Sequence, residues 1–316
     1  MRRHGGPFVP RSVSPVLPIR MVAIDIDGTL VGDDLVIRER TRTAISSAVR
    51  HGLHVSLATG RMVTSAVPIA RFLGLRDPIV GAQGGIVRAM PDDASADAGR
   101  QGRLGRLLYH RPLPAALARE AIEWCMAHDL DPHVNHLEMF IIRAGHPKVD
   151  DYSTFLGGSA KLVTDLLGAI RHPVTKVIAS GLPPRPMDLL PEARAHFAGR
   201  ASVTVSHPSY LEFVADGVSK GRAIRWLAAR HGVPLGQVLA IGDQLNDLEM
   251  ISAVGHGAAM PHAPAAVRAA ARYVALPLPR EGVAELVEHL VLAGPRAARA
   301  AAAALAAEAE ATRAVA

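Results

Sequence analysis

The sequence predicts an α/β fold: a doubly wound, Rossmann-like parallel sheet forms the core, and an α+β cap domain is inserted into it. Two observations predict this architecture. Toward both ends of the chain, short apolar runs alternate with segments of helical spacing, a rhythm typical of parallel strands joined by crossover helices. Over residues 86–206 the rhythm changes to a mixture of strands and helices, which indicates a separate module.

The first part of the core is predicted over residues 20–85. Its three buried strands are expected at the apolar runs 21–24, 53–57 and 78–81. A helix is predicted over 38–51 because apolar residues recur there at helical spacing, and Gly52 suits its C-terminal end. A second helix reaches about Leu73 and is closed by Gly74.

The inserted cap, residues 86–206, begins with a polar, Gly-rich loop over 90–106. Its strands are expected at 107–109, 138–142, 174–179 and 202–205, and its helices at 114–128, near 149–156 and at 186–197. The second part of the core, residues 207–292, has a helix from about Ser219 and strands at 238–241 and 254–258. Further helices are predicted at 246–253, 264–271 and 282–292.

The two ends of the 316-residue chain differ from the rest in composition. Residues 1–19 are predicted to be a disordered basic arm, because prolines interrupt them and no apolar segment of a signal peptide is present. Four arginines within the first twenty residues contribute most of the net charge of +6, which leaves the remainder nearly balanced. The Ala-rich tail, residues 293–316, is expected to be a frayed helix or disordered.

Composition disfavours several classes of function. Aromatic and basic residues do not interleave as a nucleic-acid platform requires, so nucleic acid is not an expected partner. No apolar stretch is long enough to span a bilayer, so no membrane partner is expected. Cys125 is the only cysteine and falls in a helical pattern, which fits a buried thiol and a cytoplasmic protein. A monomer and a homodimer both remain open.

Three predicted strands of the core end in polar loops that contain glycine. The loops are Asp25-Ile26-Asp27-Gly28-Thr29, Thr59-Gly60-Arg61 and Gly242-Asp243-Gln244-Leu245-Asn246-Asp247. Ligands of an open parallel sheet bind outside the carboxyl ends of its strands, so these loops are expected to meet in one crevice. The crevice would hold Asp25, Asp27, Asp243 and Asp247, which repel one another unless a cation lies among them. An all-oxygen ligand set indicates Mg²⁺.

The same loops offer groups that bind a phosphate. Gly28 and Thr29 present backbone N–H groups and a hydroxyl in a tight turn, and Thr59 and Gly60 do so ahead of a helix. A counter-charge is expected from Lys220, in Gly217-Val218-Ser219-Lys220-Gly221, because the other three lysines of the chain fall in the cap. Each motif alone is common as a solvated turn or helix start, but all four occur in order at strand ends or helix starts of one core.

These four motifs resemble those of the haloacid dehalogenase (HAD) superfamily, and more narrowly those of its Cof-type, sugar-phosphatase-like branch. The resemblance runs from about residue 21 to residue 290 and places the cap between the second and third motifs. It implies a magnesium-dependent phosphatase that hydrolyses a small phosphorylated metabolite, such as a sugar phosphate or a phosphorylated cofactor. A phosphotransferase or mutase, and a binding protein without turnover, remain as alternatives.

The resemblance also implies a role for each motif residue. Asp25 would be the nucleophile that forms an aspartyl-phosphate, and Asp27 would act as general acid and then general base. Mg²⁺ would be held by the carboxylates of Asp25 and Asp243 and by the backbone carbonyl of Asp27. The phosphoryl oxygens would be bound by Thr59 and Lys220, with Asn246 at the bound phosphate and Asp247 orienting Lys220 or a metal-bound water.

Two segments depart from the usual pattern of the branch. Gln83-Gly84-Gly85 stands where Asn-Gly-Ala is usual, at the hinge of the cap, and Met260-Pro261-His262-Ala263 replaces Met-Gly-Asn-Ala. Substrate contacts are expected from the cap, which closes over the core. The polar residues around its predicted turn are the candidates, although each fits a solvated loop equally well: Asp131, His133, His136, Glu138 and Arg143.

Overall fold

The computed structural model describes residues 18–91, 104–145 and 159–315. In chain order its strands are β1 (Met21–Ile24), β2 (His54–Leu57), β3 (Ile79–Gly81), β4 (Ile86–Arg88), β5 (Leu107–His110), β6 (Asp131–His136), β7 (Met139–Arg143), β8 (Ser159–Val163), β9 (Lys176–Ser180), β10 (Ala201–His207), β11 (Tyr210–Ala215), β12 (Val238–Gly242), β13 (His256–Ala259) and β14 (Tyr273–Val274).

The α-helices of the described residues are α1 (Glu39–Arg50), α2 (Val63–Phe72), α3 (Ala115–Ala127), α4 (Leu166–Ala169), α5 (Arg185–His196), α6 (Lys220–Arg230), α7 (Leu248–Ala253), α8 (Ala265–Ala270), α9 (Gly282–Val287) and α10 (Pro295–Val315). A π-helical segment, Glu288–Leu292, continues α9. None of the helices in the described part of the chain combines the length and the apolar character needed to cross a bilayer.

The predicted α/β fold is confirmed. Five strands form an all-parallel sheet in the order β14-β13-β12-β1-β2. A single parallel bridge between Ala58 and Val80 connects this sheet to β3, which forms an antiparallel sheet with β4 and β5. The parallel order reverses between β1 and β12, because β1 is followed along the chain by β2 on one side and pairs with β12 on the other. Such a switch point opens a crevice at the carboxyl ends of the two strands.

The alternation of side chains along β1 explains why helices cover both faces of this sheet. Val22 and Ile24 point into one apolar cluster, which also contains buried residues of α1, α2 and α9. Met21 and Ala23 point into the other, with Ala223 and other residues of α6. A strand buried on both faces reads as a continuous apolar run, which is why the sequence revealed β1 clearly.

The predicted cap contains a six-stranded sheet in the order β10-β11-β9-β6-β7-β8. Helices α3 and α5 pack on one face of it, where Val177 and Ala179 of β9 join their apolar cluster. Its order of strands and helices largely follows the expected one. The helix expected near 149–156, the arm up to residue 17 and most of the loop at 90–106 lie outside the described residues.

Two features of this sheet differ from expectation. The segment Asp131–His136 is a strand rather than a polar turn, because its pairing with β9 outweighs its low β propensity. The boundary predicted at residue 206 is also too early for this sheet. A tight turn after His207 returns the chain as β11, which pairs with β9 and β10 up to Ala215. The remaining boundaries of core and cap stay predictions.

The Ala-rich tail is helical as α10, and it is not isolated. Ala302 and Leu305 are buried in the same apolar cluster as the strand residues Val22 and Ile24. The alternative of a disordered tail is therefore wrong for residues 295–315. Alanine has the highest helix propensity, and the few larger apolar side chains supply the packing that keeps the helix on the core.

Candidate active site

Asp25 and Asp243 lie side by side at the carboxyl edge of the parallel sheet. Asp25 follows β1 and Asp243 follows β12, and these strands are direct neighbours with Ile24 opposite Ile241. The backbone N–H of Asp25 donates to the carbonyl of Ile241 at 3.0 Å, which continues the ladder to the carboxyl edge of the sheet. Both carboxylates are almost fully buried. The loops after β1 and β12 therefore lie together, as the sequence predicted.

A third carboxylate, that of Asp247, completes a buried acidic cluster. One carboxylate oxygen each from Asp25, Asp243 and Asp247 lies within 4.8 Å of the other two. Burial raises the pKa of Asp25 well above its ordinary value; Lys220 opposes this shift, while the three neighbouring aspartates add to it. A cation among these oxygens would hold them ionised. The donor set is all oxygen and therefore fits Mg²⁺.

Lys220 supplies the positive charge inside this cluster. Its Nζ donates to Oδ1 of Asp25 at 2.6 Å and to Oδ1 of Asp247 at 2.7 Å. Burial alone would lower the pKa of Lys220, but Asp247 and Asp25 together raise it above its usual range, so the ammonium stays charged. The residue begins α6, where the Ser219 hydroxyl accepts a hydrogen bond from the N–H of Arg222 at 3.0 Å and caps the helix.

Asp247 is held on its other side by the backbone. Its Oδ2 accepts hydrogen bonds from the N–H groups of Asp243 at 3.0 Å and Gln244 at 3.1 Å. With Oδ1 on Lys220, the carboxylate is fixed at both oxygens. This is the contact that the predicted orienting role requires. It also ties the loop after β12 to the start of α6.

Gly28 and Thr29 contact Asp243. Gly28 has a φ of +80°, and a Cβ built there would lie 2.3 Å from Oδ2 of Asp243. Thr29 is fully buried, and its hydroxyl donates to Oδ1 of Asp243 at 3.2 Å. The Thr29 hydroxyl, which was expected to bind phosphate, therefore donates its hydrogen bond to Asp243, a candidate metal ligand. Thr29 orients Asp243 in this structure.

Thr59 and Gly60 lie at the end of β2, beside the cluster. Thr59 is fully buried and its Oγ1 accepts a hydrogen bond from the N–H of Arg61 at 3.0 Å, which turns the chain toward α2. Gly60 lines the cavity described below, and a Cβ there would come within 2.5 Å of Nε2 of Gln83. Close packing thus explains why a glycine follows this threonine.

Asp27 lies at the mouth of the site, with its side chain 51% exposed. Two nitrogens of the Arg61 guanidinium bind its carboxylate: Nε donates to Oδ2 at 2.8 Å, and Nη2 donates to Oδ1. In the sequence Arg61 is recognised only as the third residue of its motif, without a predicted role. The ion pair restrains the carboxylate expected to act as acid and base, and it holds the loop after β1 to the loop after β2.

A cavity of about 800 Å³ opens above these groups. On the core side it is lined by Asp25, Asp27, Lys220, Asp243 and Asn246, among others. The opposite wall comes from the six-stranded sheet and includes Asn135, Lys176, Ile178, Tyr210 and Glu212. This volume lies within the range typical of small-molecule sites. The two sheets therefore enclose one cavity with carboxylates at one side.

The cap residues singled out in the sequence are not those that line the cavity. Asp131, His133, His136, Glu138 and Arg143 do not border it. The signal that would have found Lys176 is the alternation along β9. Val177 and Ala179 point into the apolar cluster under α3 and α5, so Lys176 and Ile178 point to the other face of the sheet.

A chain of polar contacts links this wall to the core. Lys176 donates to Oε2 of Glu212 at 2.6 Å and to the carbonyl of Gly60 at 2.7 Å, and the pair is almost fully buried. Gln83 donates to Oε1 of Glu212 at 2.8 Å and accepts from Nδ2 of Asn246 at 2.9 Å. The unusual glutamine of the predicted hinge thus holds Asn246, the residue expected at the phosphate.

The second departure from the family pattern also reaches the site. His262 lies with Nε2 3.3 Å from Oδ2 of Asp243. This hydrogen bond raises the pKa of His262, and a contact with the backbone of Gly28 acts in the same direction. An imidazole therefore stands beside the carboxylate expected to bind metal.

Comparison with known proteins agrees with this geometry. The family model of haloacid dehalogenase-like hydrolases matches residues 22–287. An HMP-PP phosphatase from Serratia proteamaculans is 30% identical over 244 residues, which cover 77% of this chain and 84% of that protein. A 5-amino-6-(5-phospho-D-ribitylamino)uracil phosphatase from Bacillus subtilis is 24% identical, over 85% of this chain and 96% of that protein.

A solved structure shows the same fold. The crystal structure of a haloacid dehalogenase-like hydrolase from Bacteroides thetaiotaomicron superimposes with a TM-score of 0.70 at 26% identity, covering 85% of this chain and 98% of that one. The family match includes every core residue singled out above, from Asp25 to Asp247. The chain belongs to the haloacid dehalogenase-like hydrolases, in the Cof-type branch that its four motifs resemble.

Proposed function

We propose that this protein is a magnesium-dependent phosphatase that hydrolyses small phosphate monoesters through an aspartyl-phosphate on Asp25. The observation that carries the proposal is the placement of the Asp25 carboxylate. It lies beside a buried lysine and two further carboxylates, at one side of a cavity large enough for a metabolite. A carboxylate attacks a dianionic phosphate only where cations offset the repulsion between them. This site combines the carboxylate of Asp25 with the ammonium of Lys220 and with oxygen ligands for a metal ion.

The residues present fit a Mg²⁺ ion. Asp25 and Asp243 offer buried carboxylate oxygens close together, and the backbone carbonyl of Asp27 belongs to the same loop as Asp25. When bound, Mg²⁺ would neutralise charge on the phosphate and keep these carboxylates ionised. Gly28 and Thr29 hold Asp243 in place for this role, since one leaves room for the carboxylate and the other donates a hydrogen bond to it.

The remaining steps fall to side chains of this chain. Asp25 attacks phosphorus, and the bond from phosphorus to the ester oxygen breaks as Asp27 gives that oxygen a proton. Asp27, then ionised, takes a proton from the water that attacks the aspartyl-phosphate and releases inorganic phosphate. For either step its carboxylate must be free of Arg61, so substrate binding has to redirect one of the two hydrogen bonds of that ion pair.

Lys220 and the loop after β2 are the proposed binding groups for the phosphoryl group. The ammonium already lies 2.6 Å from Asp25 and is oriented by Asp247, so it meets the charge that develops on the transferred oxygens. Gly60 lines the same cavity directly after the buried Thr59, and Asn246 is held by Gln83. Thr59, Gly60 and Asn246 remain proposed phosphate contacts.

The six-stranded sheet supplies the leaving-group pocket. Its wall is mixed, with Ile178 and Tyr210 beside Asn135, Lys176 and Glu212. Such a surface suits a metabolite that carries both a ring or carbon chain and polar groups. The two phosphatases compared above act, by their names, on HMP-PP and on 5-amino-6-(5-phospho-D-ribitylamino)uracil. We propose a sugar phosphate or a phosphorylated cofactor as the substrate class here.

The test is phosphate release from a panel of phosphorylated metabolites, with Mg²⁺ and with EDTA. Asp25→Asn is compared with the wild type, and Asp216→Asn, an exposed aspartate outside the cavity, serves as the matched control. We expect release that requires Mg²⁺, is unchanged in Asp216→Asn and falls at least about a hundredfold in Asp25→Asn.

Two results would contradict the proposal. Asp25→Asn that keeps wild-type release would remove the nucleophile from this site. A folded wild-type protein that binds Mg²⁺ and releases phosphate from no substrate would favour transfer to another acceptor, or binding without turnover.

A further inference from the structure

A second group of potential metal ligands lies at the opposite edge of the core sheet from the carboxylate cluster. His54 is the first residue of β2, whereas Thr59 of the candidate active site follows the carboxyl end of that strand. Asp77 precedes β3, and His231 caps the C-terminal end of α6, whose first residue is Lys220. Three separate elements thus bring two imidazoles and a carboxylate together.

The geometry of this group is compact. Nδ1 of His54 lies 2.9 Å from Oδ1 of Asp77, and Nε2 of His231 lies 3.4 Å from the same oxygen. The two imidazole rings are stacked, with centroids 3.8 Å apart. One ligand atom from each of the three residues lies within 4.8 Å of the other two. Ligand atoms about 2.0–2.1 Å from a tetrahedral Zn²⁺ are separated by about 3.3 Å, so only small shifts are needed.

One atom of the group has an unmet bonding capacity. Nε2 of His231 is buried, and among the described residues it has no hydrogen-bond partner, because its contact with Asp77 has unsuitable geometry. A buried polar atom without a partner is costly, and a native structure with one calls for an explanation. A cation between Nε2 and the carboxylate supplies the missing partner.

The carboxylate is also held in the orientation that a ligand needs. Oδ2 of Asp77 accepts a hydrogen bond from the backbone N–H of Val55 at 2.8 Å, which leaves Oδ1 facing both histidines. Hydrogen bonds of this kind to the far atom of a ligand are a regular feature of protein metal sites. The side chains of Asp77 and His231 are mostly buried, whereas that of His54 is 34% exposed. An ion would thus have an open side for water.

We propose that His54, Asp77 and His231 bind a divalent transition-metal ion such as Zn²⁺, at a site separate from that of the catalytic Mg²⁺. Two imidazole nitrogens and one carboxylate oxygen suit Zn²⁺ and its neighbours, whereas Mg²⁺ prefers oxygen ligands only. Binding would release to solvent the proton of the hydrogen bond between Nδ1 of His54 and Oδ1 of Asp77. The ion would join the start of β2 to the end of α6, the helix that presents Lys220.

The test is titration of the metal-free protein with Co²⁺, in excess Mg²⁺ so that the carboxylate cluster is occupied. Four- or five-coordinate Co²⁺ in a site with nitrogen ligands absorbs visible light far more strongly than the octahedral, oxygen-bound ion in water, and Zn²⁺ should abolish this strong absorption by competition. We expect one equivalent per chain, and affinity more than about tenfold weaker in Asp77→Asn and in His231→Gln. The asparagine keeps an oxygen for the N–H of Val55 to donate to, so this variant is expected to fold.

Two controls separate this site from others. Asp25→Asn should leave the spectrum and the stoichiometry unchanged, which also makes the outcome independent of the proposed phosphatase activity. His128→Gln removes a histidine that pairs with the exposed Glu192 and should also change nothing. Equal affinity in the wild type, Asp77→Asn and His231→Gln would overturn the proposal, as would loss of the spectrum in Asp25→Asn. Circular dichroism of each metal-free variant establishes that it is folded.

Discussion

Gly28 determines where the candidate metal ligand Asp243 can lie. A Cβ at this position would come within 2.3 Å of Oδ2 of Asp243, and the φ of +80° is itself unfavourable for any other residue. Gly52, between α1 and β2, has the same φ of +80° but nothing within 4 Å of such a Cβ. Comparing substitutions at the two glycines therefore distinguishes the effect of backbone strain from the effect of contact with Asp243.

We predict that Gly28→Ala and Gly52→Ala both lose about 1–2 kcal/mol of unfolding free energy, because alanine is strained at positive φ. Only Gly28→Ala should also weaken Mg²⁺ binding and lower kcat, since its methyl group displaces Asp243. Urea denaturation measures the first effect, and Mg²⁺ titration of phosphate release measures the second. Equal Mg²⁺ affinity in both variants would show that Gly28 does not position the ligand.

Individual site residues could be predicted from the sequence where they belong to short motifs. Asp25, Asp243, Asp247 and Lys220 were all singled out, because each stands at a strand end or helix start. Arg61 and Glu212 were not given a role. Their partners, Asp27 and Lys176, are 34 and 36 residues away in the chain, and no local pattern announces such pairs. Thr29 was predicted to bind phosphate because it offers a hydroxyl in a tight turn. Its hydrogen bond to Asp243 was not predicted, because that contact depends on the packing of β1 against β12.

The strands of the core were easier to predict than those of the six-stranded sheet. Strands β1 and β12 are buried on both faces, so each reads as an apolar run that ends in a polar loop. Strand β6 has only one apolar face and carries aspartate, proline, histidine and asparagine. Its strand conformation comes from pairing with β9, which lies more than forty residues later. The residues of the six-stranded sheet that line the cavity were not predicted for the same reason, since their positions depend on pairing between strands that are distant in the chain.

The ion pair between Lys176 and Glu212 joins β9 to β11 and, through Gly60, both strands to the core. We predict that Lys176→Met lowers the unfolding free energy by about 3–5 kcal/mol, because it leaves the Glu212 carboxylate buried without its cation. Arg200→Met is the matched control: it breaks an ion pair with Glu120 that is well exposed, and should cost less than about 1 kcal/mol.

Denaturation in urea at pH 7 measures this difference. The prediction is wrong if the two variants lose equal stability. The double variant Lys176→Met with Glu212→Leu should regain much of the loss, since no buried charge remains without a partner.

Over the whole molecule, half-buried histidines make stability depend on pH. Burial lowers the pKa of His110, with smaller contributions from His136 and Arg88, and burial also lowers the pKa of His136, with a contribution from His172. At these two histidines the unfolded chain therefore binds more protons than the folded one. The stability due to these groups is complete above the unfolded value of about 6.5 and is lost as the pH falls below it.

We predict that the unfolding free energy falls as the pH decreases from about 6.5. His136→Gln should reduce the steepness of this fall, whereas His51→Gln, at the exposed end of α1, should leave it unchanged. Urea denaturation at a series of pH values measures both slopes. A wild-type stability that is constant or rises toward acid would contradict the prediction.

The family model matches residues 22–287, and the fold is shared with a solved structure over 85% of the chain. The cytoplasmic location stays a prediction. The proposed phosphatase chemistry depends on a single bond, the one between Asp25 and a transferred phosphoryl group. Asp27→Asn provides the means to observe it. With an aryl phosphate, the leaving group needs no proton, so Asp25 can still be phosphorylated. Hydrolysis then lacks its general base.

The most direct measurement is mass spectrometry of Asp27→Asn after reaction with an aryl phosphate and Mg²⁺ and quenching in acid. We expect an added phosphoryl group on the peptide that contains residue 25, and none in the Asp25→Asn, Asp27→Asn double variant. A different result would contradict the role of Asp25 as nucleophile: one equivalent of the phenol is released per enzyme, but Asp25 carries no phosphate or another residue carries it.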